Sequence, residues 1–170
     1  MRGSNVIRAG SANSGGVRLV RAGVFRLGGR TVDITQRLLS LSKQFADLVT
    51  ELGPTDLAIE EAFFGKSVQS ALRIGEARGV LLAESARYGL DVFQYTPARI
   101  KRCVTGHGAA RKQSVAKMLG QMLPKGEIPF PGNLSEDATD AVAVAWTRLE
   151  ELRSPLAATQ SAGAGRRPGS

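Results

Sequence analysis

The sequence predicts an α/β domain in which helices flank a mixed, mostly parallel sheet. Three observations predict it: short apolar runs with strand character at 17–27, 56–62 and 91–96, longer stretches of helical periodicity between and after them, and turn residues at the junctions. At 170 residues, one compact core is expected.

Residues 17–27 (VRLVRAGVFRL) set valine and leucine among arginines, with Gly23 inside, and read as an extended strand with a bulge. After the Gly28–Gly29 turn, Leu38, Leu41, Phe45, Leu48 and Val49 recur at spacings of three and four. This predicts a helix from about Thr35 to Leu52, stopped by Gly53 and Pro54. DLAIEEA (56–62) has the short apolar centre of a buried parallel strand and ends in two glutamates. From Ser67 to Tyr88 a helical stripe of Val68, Ala71, Leu72, Gly75, Gly79, Leu82, Ala83 and Ala86 is predicted to pack closely. Each of its glycines costs about 1 kcal/mol of helix propensity, which close packing against a sheet or a partner would offset. A strand at 91–96 leads through Pro97 into a helix from Ala98 to Val104. A further helix is expected over 110–123, a loop over PKGEIPFPGN, and a last helix from Ser135, its N-cap, to Leu152. The ordered domain is therefore expected over 1–152. The composition of 153–170 cannot bury a core and reads as a disordered basic tail.

No apolar run approaches the roughly 20 residues of a membrane span, and no secretory signal follows the first arginines, so a cytoplasmic location is expected. One cysteine and one histidine fall far short of a zinc site, and Cys103 reads as a buried small hydrophobe. The net charge of +8 is unevenly laid out. Arginines precede Asp33 without a single acid, and another acid-free basic stretch runs from Arg99 to Lys125. Such blocks suit a polyanion such as nucleic acid, although a solvated basic surface would look the same.

Glu60 ends a hydrophobic strand, where a carboxylate has little structural reason to sit unless the strand end is a site. Asp137 and Asp140 are three apart at the start of the last helix and share a face, although acids at a helix N-terminus are also favoured by its dipole. Together, a strand-end carboxylate and a helix pair are the donor set of a hard-cation site for phosphodiester hydrolysis. No phosphate loop or dinucleotide fingerprint competes with that reading.

LAIEEAFFGKSVQSALRIGEARGV (57–80) followed by SEDATDAVAVA (135–145) resembles the RuvC family of Holliday-junction resolvases, over about Arg21 to Glu150. The resemblance implies an RNase H-like mixed sheet, a homodimer, Mg²⁺ with Mn²⁺ as the alternative, nicking of four-way DNA junctions in recombination and repair, and a branch-migration partner complex. Glu60, Asp137 and Asp140 fall on the family's catalytic metal-ligand positions. Phe63 falls on its base-stacking aromatic, and Lys66, Lys101 and Lys112 fall on DNA-binding positions. The family also carries a first central strand ending in an Asp-Pro-Gly turn, whose aspartate is a further ligand. Nothing here matches it; Val6–Ala9 instead resembles the second strand. The expectation is thus a domain lacking that strand, with cutting impaired until such a segment is supplied, or else a junction-binding paralogue that does not cut.

Overall fold

A computed structural model describes residues 17, 19–29, 31–61, 67–123 and 135–154. Among them lie five α-helices and a two-stranded sheet: α1 (Ile34–Leu52), β1 (Asp56–Glu60), α2 (Val68–Arg87), β2 (Asp91–Tyr95), α3 (Pro97–Thr105), α4 (Lys112–Met122) and α5 (Glu136–Arg153). β1 and β2 run parallel in a register that pairs Asp56 with Asp91 and Glu60 with Tyr95. α2 is the crossover that parallel strands require.

Local chemistry sets the helix ends. The Asp33 carboxylate caps α1 by accepting from the Thr35 amide at 2.8 Å. Gly53, at φ 53°, ends that helix in the left-handed region and returns its N–H to the Val49 carbonyl at 2.8 Å. Thr96 caps α3, where Pro97 occupies the first turn without wasting a donor. Ser135 caps α5 from its hydroxyl, with Glu136 and Asp137 in the first turn, where the helix dipole favours them.

The strands alternate between two hydrophobic clusters. Leu57, Ile59 and Val92 face one built on Leu41, Phe45 and Val49 of α1 and Leu81 of α2. Ala58, Phe93 and Tyr95 face the other, which joins Ile100 and Val104 of α3, Val115 and Leu119 of α4, and Val142–Val144 of α5.

One sequence expectation needs correction, and of the two alternatives for α2, sheet or partner, the sheet is removed. Residues 17–27 form no strand among the described residues beyond a single bridge at Leu19. Val17 and Leu19 pack on the α3–α5 cluster, and Phe25 and Leu27 on the α1–α2 cluster. Alternating apolar residues report which side is buried, not whether a neighbour supplies a ladder. The small-residue stripe of α2 does not pack on the sheet. Val68 is 90% and Leu72 60% exposed, and nothing lies within 4 Å of a Cβ built at Gly75 or Gly79. The helix instead seats Ala77, Val80, Leu81 and Ser85. Cys103 is half-buried, and burial raises its thiol pKa. The proposed N-terminal strand, the 124–133 loop and residues 155–170 of the tail expected over 153–170 lie outside the described residues, while Arg153 is the last residue of α5.

A polar network ties the sheet to α5. Arg148 donates to Asp56 at 2.8 Å and to Glu151 at 3.2 Å, while the Tyr95 hydroxyl and Arg99 also donate to Glu151. Partial burial works against the Glu151 carboxylate. The Tyr95 and Arg148 hydrogen bonds, with the Arg99 charge, outweigh burial and hold its pKa below the ordinary glutamate value. A depressed carboxylate contributes stability that is present above its unfolded value, about 4.3, and lost as pH falls through the folded value. The melting temperature of Glu151→Gln should therefore fall less than that of the wild type between about pH 5 and pH 3. Parallel losses in the two proteins would show that the network carries no such linkage.

Candidate active site

Glu60 is the last residue of β1, and the backbone just beyond it stays tied to the sheet because the Glu61 amide donates to the Tyr95 carbonyl at 2.8 Å. From α2, the Arg78 guanidinium donates to the Glu60 carbonyl at 3.1 Å and to the Gln94 side chain, holding the strand end from a second side. Asp140 lies in the opening turns of α5, the helix that packs along β1. Lys112 opens α4 and places Nζ 2.7 Å from Asp140 Oδ2. That pair is solvent-accessible, at 61% and 40% side-chain exposure, so its fixed position matters more than its energy.

Electrostatics show which groups meet. The Glu60 carboxyl is held above the ordinary glutamate value, first by the protein that crowds it and then by the Asp140 charge, with Lys112 and Lys101 opposing. The Lys112 ammonium is held above the usual lysine value, mainly by its hydrogen bond to Asp140, with partial burial opposing and Glu136 and Glu60 adding. Two carboxylates, from a strand end and a helix, thus lie within electrostatic reach of each other, with Lys112 of α4 bonded to one and Lys101 of α3 close enough to act on the other. Carboxylate oxygens facing at a strand end are the donors a hard divalent cation takes, so the pair fits such an ion. Among the described residues, no group of three or more potential ligands is ready to hold a metal.

Of the residues singled out in the sequence, Glu60, Asp140, Lys101 and Lys112 come together. Asp137 sits half-buried one turn before Asp140 on α5. Phe63 and Lys66 lie outside the described residues. Sequence reasoning missed Glu136 and Arg78. Glu136 was visible as an acid in the capped first turn of α5, whereas nothing in the sequence marks Arg78 as the residue reaching the Glu60 carbonyl.

The model of the family described as crossover junction endodeoxyribonuclease RuvC matches residues 1–148. The chain belongs to the RuvC family. It is 40% identical over 119 residues to the crossover junction endodeoxyribonuclease RuvC of Natranaerobius thermophilus, covering 70% of this chain and 71% of that one. It is 42% identical to the Heliobacterium modesticaldum RuvC, covering 68% and 71%. The fold agrees with two solved structures of Thermus thermophilus RuvC, each 26% identical and covering 88% of this chain and 87% of the other. The TM-score is 0.73 for one and 0.75 for the second, which is in complex with a Holliday junction substrate. The RuvC match confirms the RNase H-like α/β class expected from the sequence.

Proposed function

We propose that this RuvC-family protein nicks four-way DNA junctions with a divalent cation, Mg²⁺ or Mn²⁺, held by Glu60, Asp140 and Asp137. The observation that carries the reading is the facing of Glu60 and Asp140 from separate elements, with Lys112 and Lys101 beside them. A bound divalent cation supplies an activated water and neutralises charge on the leaving oxygen. Glu60 and Asp140 contribute oxygen donors from two rigid elements, so ligand placement does not depend on a loop. Lys112 and Lys101 bring positive charge to the same spot, where a scissile phosphate needs it. Arg78 keeps the strand end in place through the Glu60 carbonyl.

Phe63 is assigned the stacking role at the junction centre and Lys66 a phosphate contact, on the family resemblance. The exposed face of α2, with Val68, Leu72, Gly75 and Gly79, supports a homodimer that would place two sites on one junction. No helix among the described residues is long and apolar enough to cross a membrane. The proposed setting is the cytoplasm, alongside a branch-migration complex.

The test is incubation of the purified protein with a synthetic four-way junction and Mg²⁺ or Mn²⁺, beside a gel shift in EDTA. Symmetrical nicks support the reading. A junction shift without cutting would instead make the protein a junction-binding paralogue.

Junction binding should also weaken steeply with salt. Replacing Lys101 and Lys112 with alanine should lower the slope of log K against log salt by about 1 for each lysine that contacts a phosphate. Phe63→Ala should impair junction cutting more than duplex binding, because stacking needs exposed bases. An unchanged slope, or equal losses on both substrates, would remove those assignments.

A further inference from the structure

We infer that Arg148 is a positioning residue, one that sets how far α5 slides along β1 and hence the depth at which Asp140 meets Glu60. The inference rests on the proposed function of that carboxylate pair.

α5 packs along β1, and two pairs of charged residues relate the elements. In one, Asp140 lies close enough for its charge to act on Glu60; in the other, Arg148 Nε donates to Asp56 Oδ2 at 2.8 Å. On β1 the two contact residues are four apart, a span of about 13 Å at strand rise. On α5 they are eight apart, a span of about 12 Å at helix rise, and residues at that spacing share a face. The spans match and run in opposite directions, so α5 lies antiparallel to β1 and one contact fixes the other.

Arg148 is built to resist sliding. Its guanidinium lies 3.4 Å from the centroid of the Phe93 ring on β2, donates to Asp56 on β1, and donates to Glu151 on its own helix at 3.2 Å. The side chains of Arg148 and Asp56 are only 16% and 20% exposed. A planar fork held on both strands has little freedom, and a lysine ammonium cannot reproduce that set of directions. A slip of a single residue on α5 would move Asp140 by about 1.5 Å. Placement errors near 1 Å cost about a hundredfold in rate.

The test compares Arg148→Met, Arg148→Lys, Asp56→Asn and the double variant Asp56→Asn/Arg148→Met with the wild type. Leu41→Ala, in the α1–α2 cluster, serves as a control that loses stability away from the site. Thermal midpoint, Mn²⁺ affinity by electron paramagnetic resonance without DNA, junction affinity in EDTA, and nicking rate at saturating junction are measured well below every midpoint. The expected result is a fall of about 10- to 100-fold in Mn²⁺ affinity and nicking rate for Arg148→Met and Asp56→Asn, with junction affinity unchanged. Combining them should add little, since both break one contact. Arg148→Lys should retain part of the loss, and Leu41→Ala should lower the midpoint with neither effect.

The proposal is overturned if Arg148→Met and Leu41→Ala both lose stability while Mn²⁺ affinity and nicking stay at the wild-type level. Should Arg148→Met fail to fold, Asp56→Asn and Arg148→Lys decide by the same readouts. A wild-type protein that binds Mn²⁺ but does not nick would end the proposed function, and the Mn²⁺ measurements would still decide the role of Arg148. One that does neither ends both.

Discussion

Glu60→Gln and Asp140→Asn should each lower metal-dependent nicking of a four-way junction by at least about a hundredfold while leaving junction affinity unchanged or slightly higher. The loss follows from removing one carboxylate of a facing pair that offers hard oxygen donors from two fixed elements. The direction of the binding effect follows from charge, because each substitution removes a negative group from a surface that must approach phosphates. Asp140→Asn also frees Lys112 from its 2.7 Å ion pair, so a small gain in affinity is expected there in particular. Gel shifts in EDTA and nicking in Mg²⁺ on the same preparations check both halves. If affinity and cutting fall together, the two carboxylates serve the fold or the docking of DNA rather than the chemistry.

Phe45→Ala should cost about 3 to 5 kcal/mol, the usual range for truncating a buried aromatic side chain. Phe45 is 1% exposed at the centre of the cluster that α1 forms against β1 and α2. For a chain of this size the melting temperature should drop by roughly 6 to 20 °C. Calorimetry reads the loss directly. Nicking measured well below the new midpoint should stay near the wild-type rate, because α1 contributes no residue to the carboxylate pair. A drop under 1 kcal/mol would mean that the α1–α2 layer relaxes around the missing ring and packs less tightly than its burial implies.

The part of this molecule that could be read from sequence is the part that local chemistry decides. α1 carries its cap at Asp33, its apolar spacing and its glycine stop at Gly53, and the helix begins and ends within a residue of the expected bounds. Ser135 likewise fixes the start of α5 and with it the height of Asp140. Where a neighbour decides, reading failed. The pattern at 17–27 suggested a strand, yet Leu19 and Leu27 are held by packing on the two clusters, and no extended ladder partner waits among the described residues. In α2, the sequence pointed to the stripe of Val68, Leu72, Gly75 and Gly79 as the packed face, which the structure leaves exposed. Contact with α1 and the sheet selected the face bearing Leu81 and Ser85. At the site, Glu60 was legible as an unusual placement of charge, and Asp140 only in combination with it. The reach of Arg78 to the Glu60 carbonyl depends on how α2 lies over the strands, which no spacing in the chain encodes.

The alternation of β1 and β2 between two hydrophobic clusters limits how the molecule can come apart. Leu57 and Ile59 belong to one cluster and Ala58, between them, to the other; Val92 and Phe93 are divided in the same way. Neither cluster can open while the strands stay put, since each would leave one side of the same ten residues facing water. The α1–α2 layer and the layer carrying Asp140 and Lys112 therefore share one wall and one melting event, in the all-or-none manner of small domains. Loss of packing in the α1–α2 cluster, which holds neither carboxylate, therefore reaches the pair through the common unfolding event.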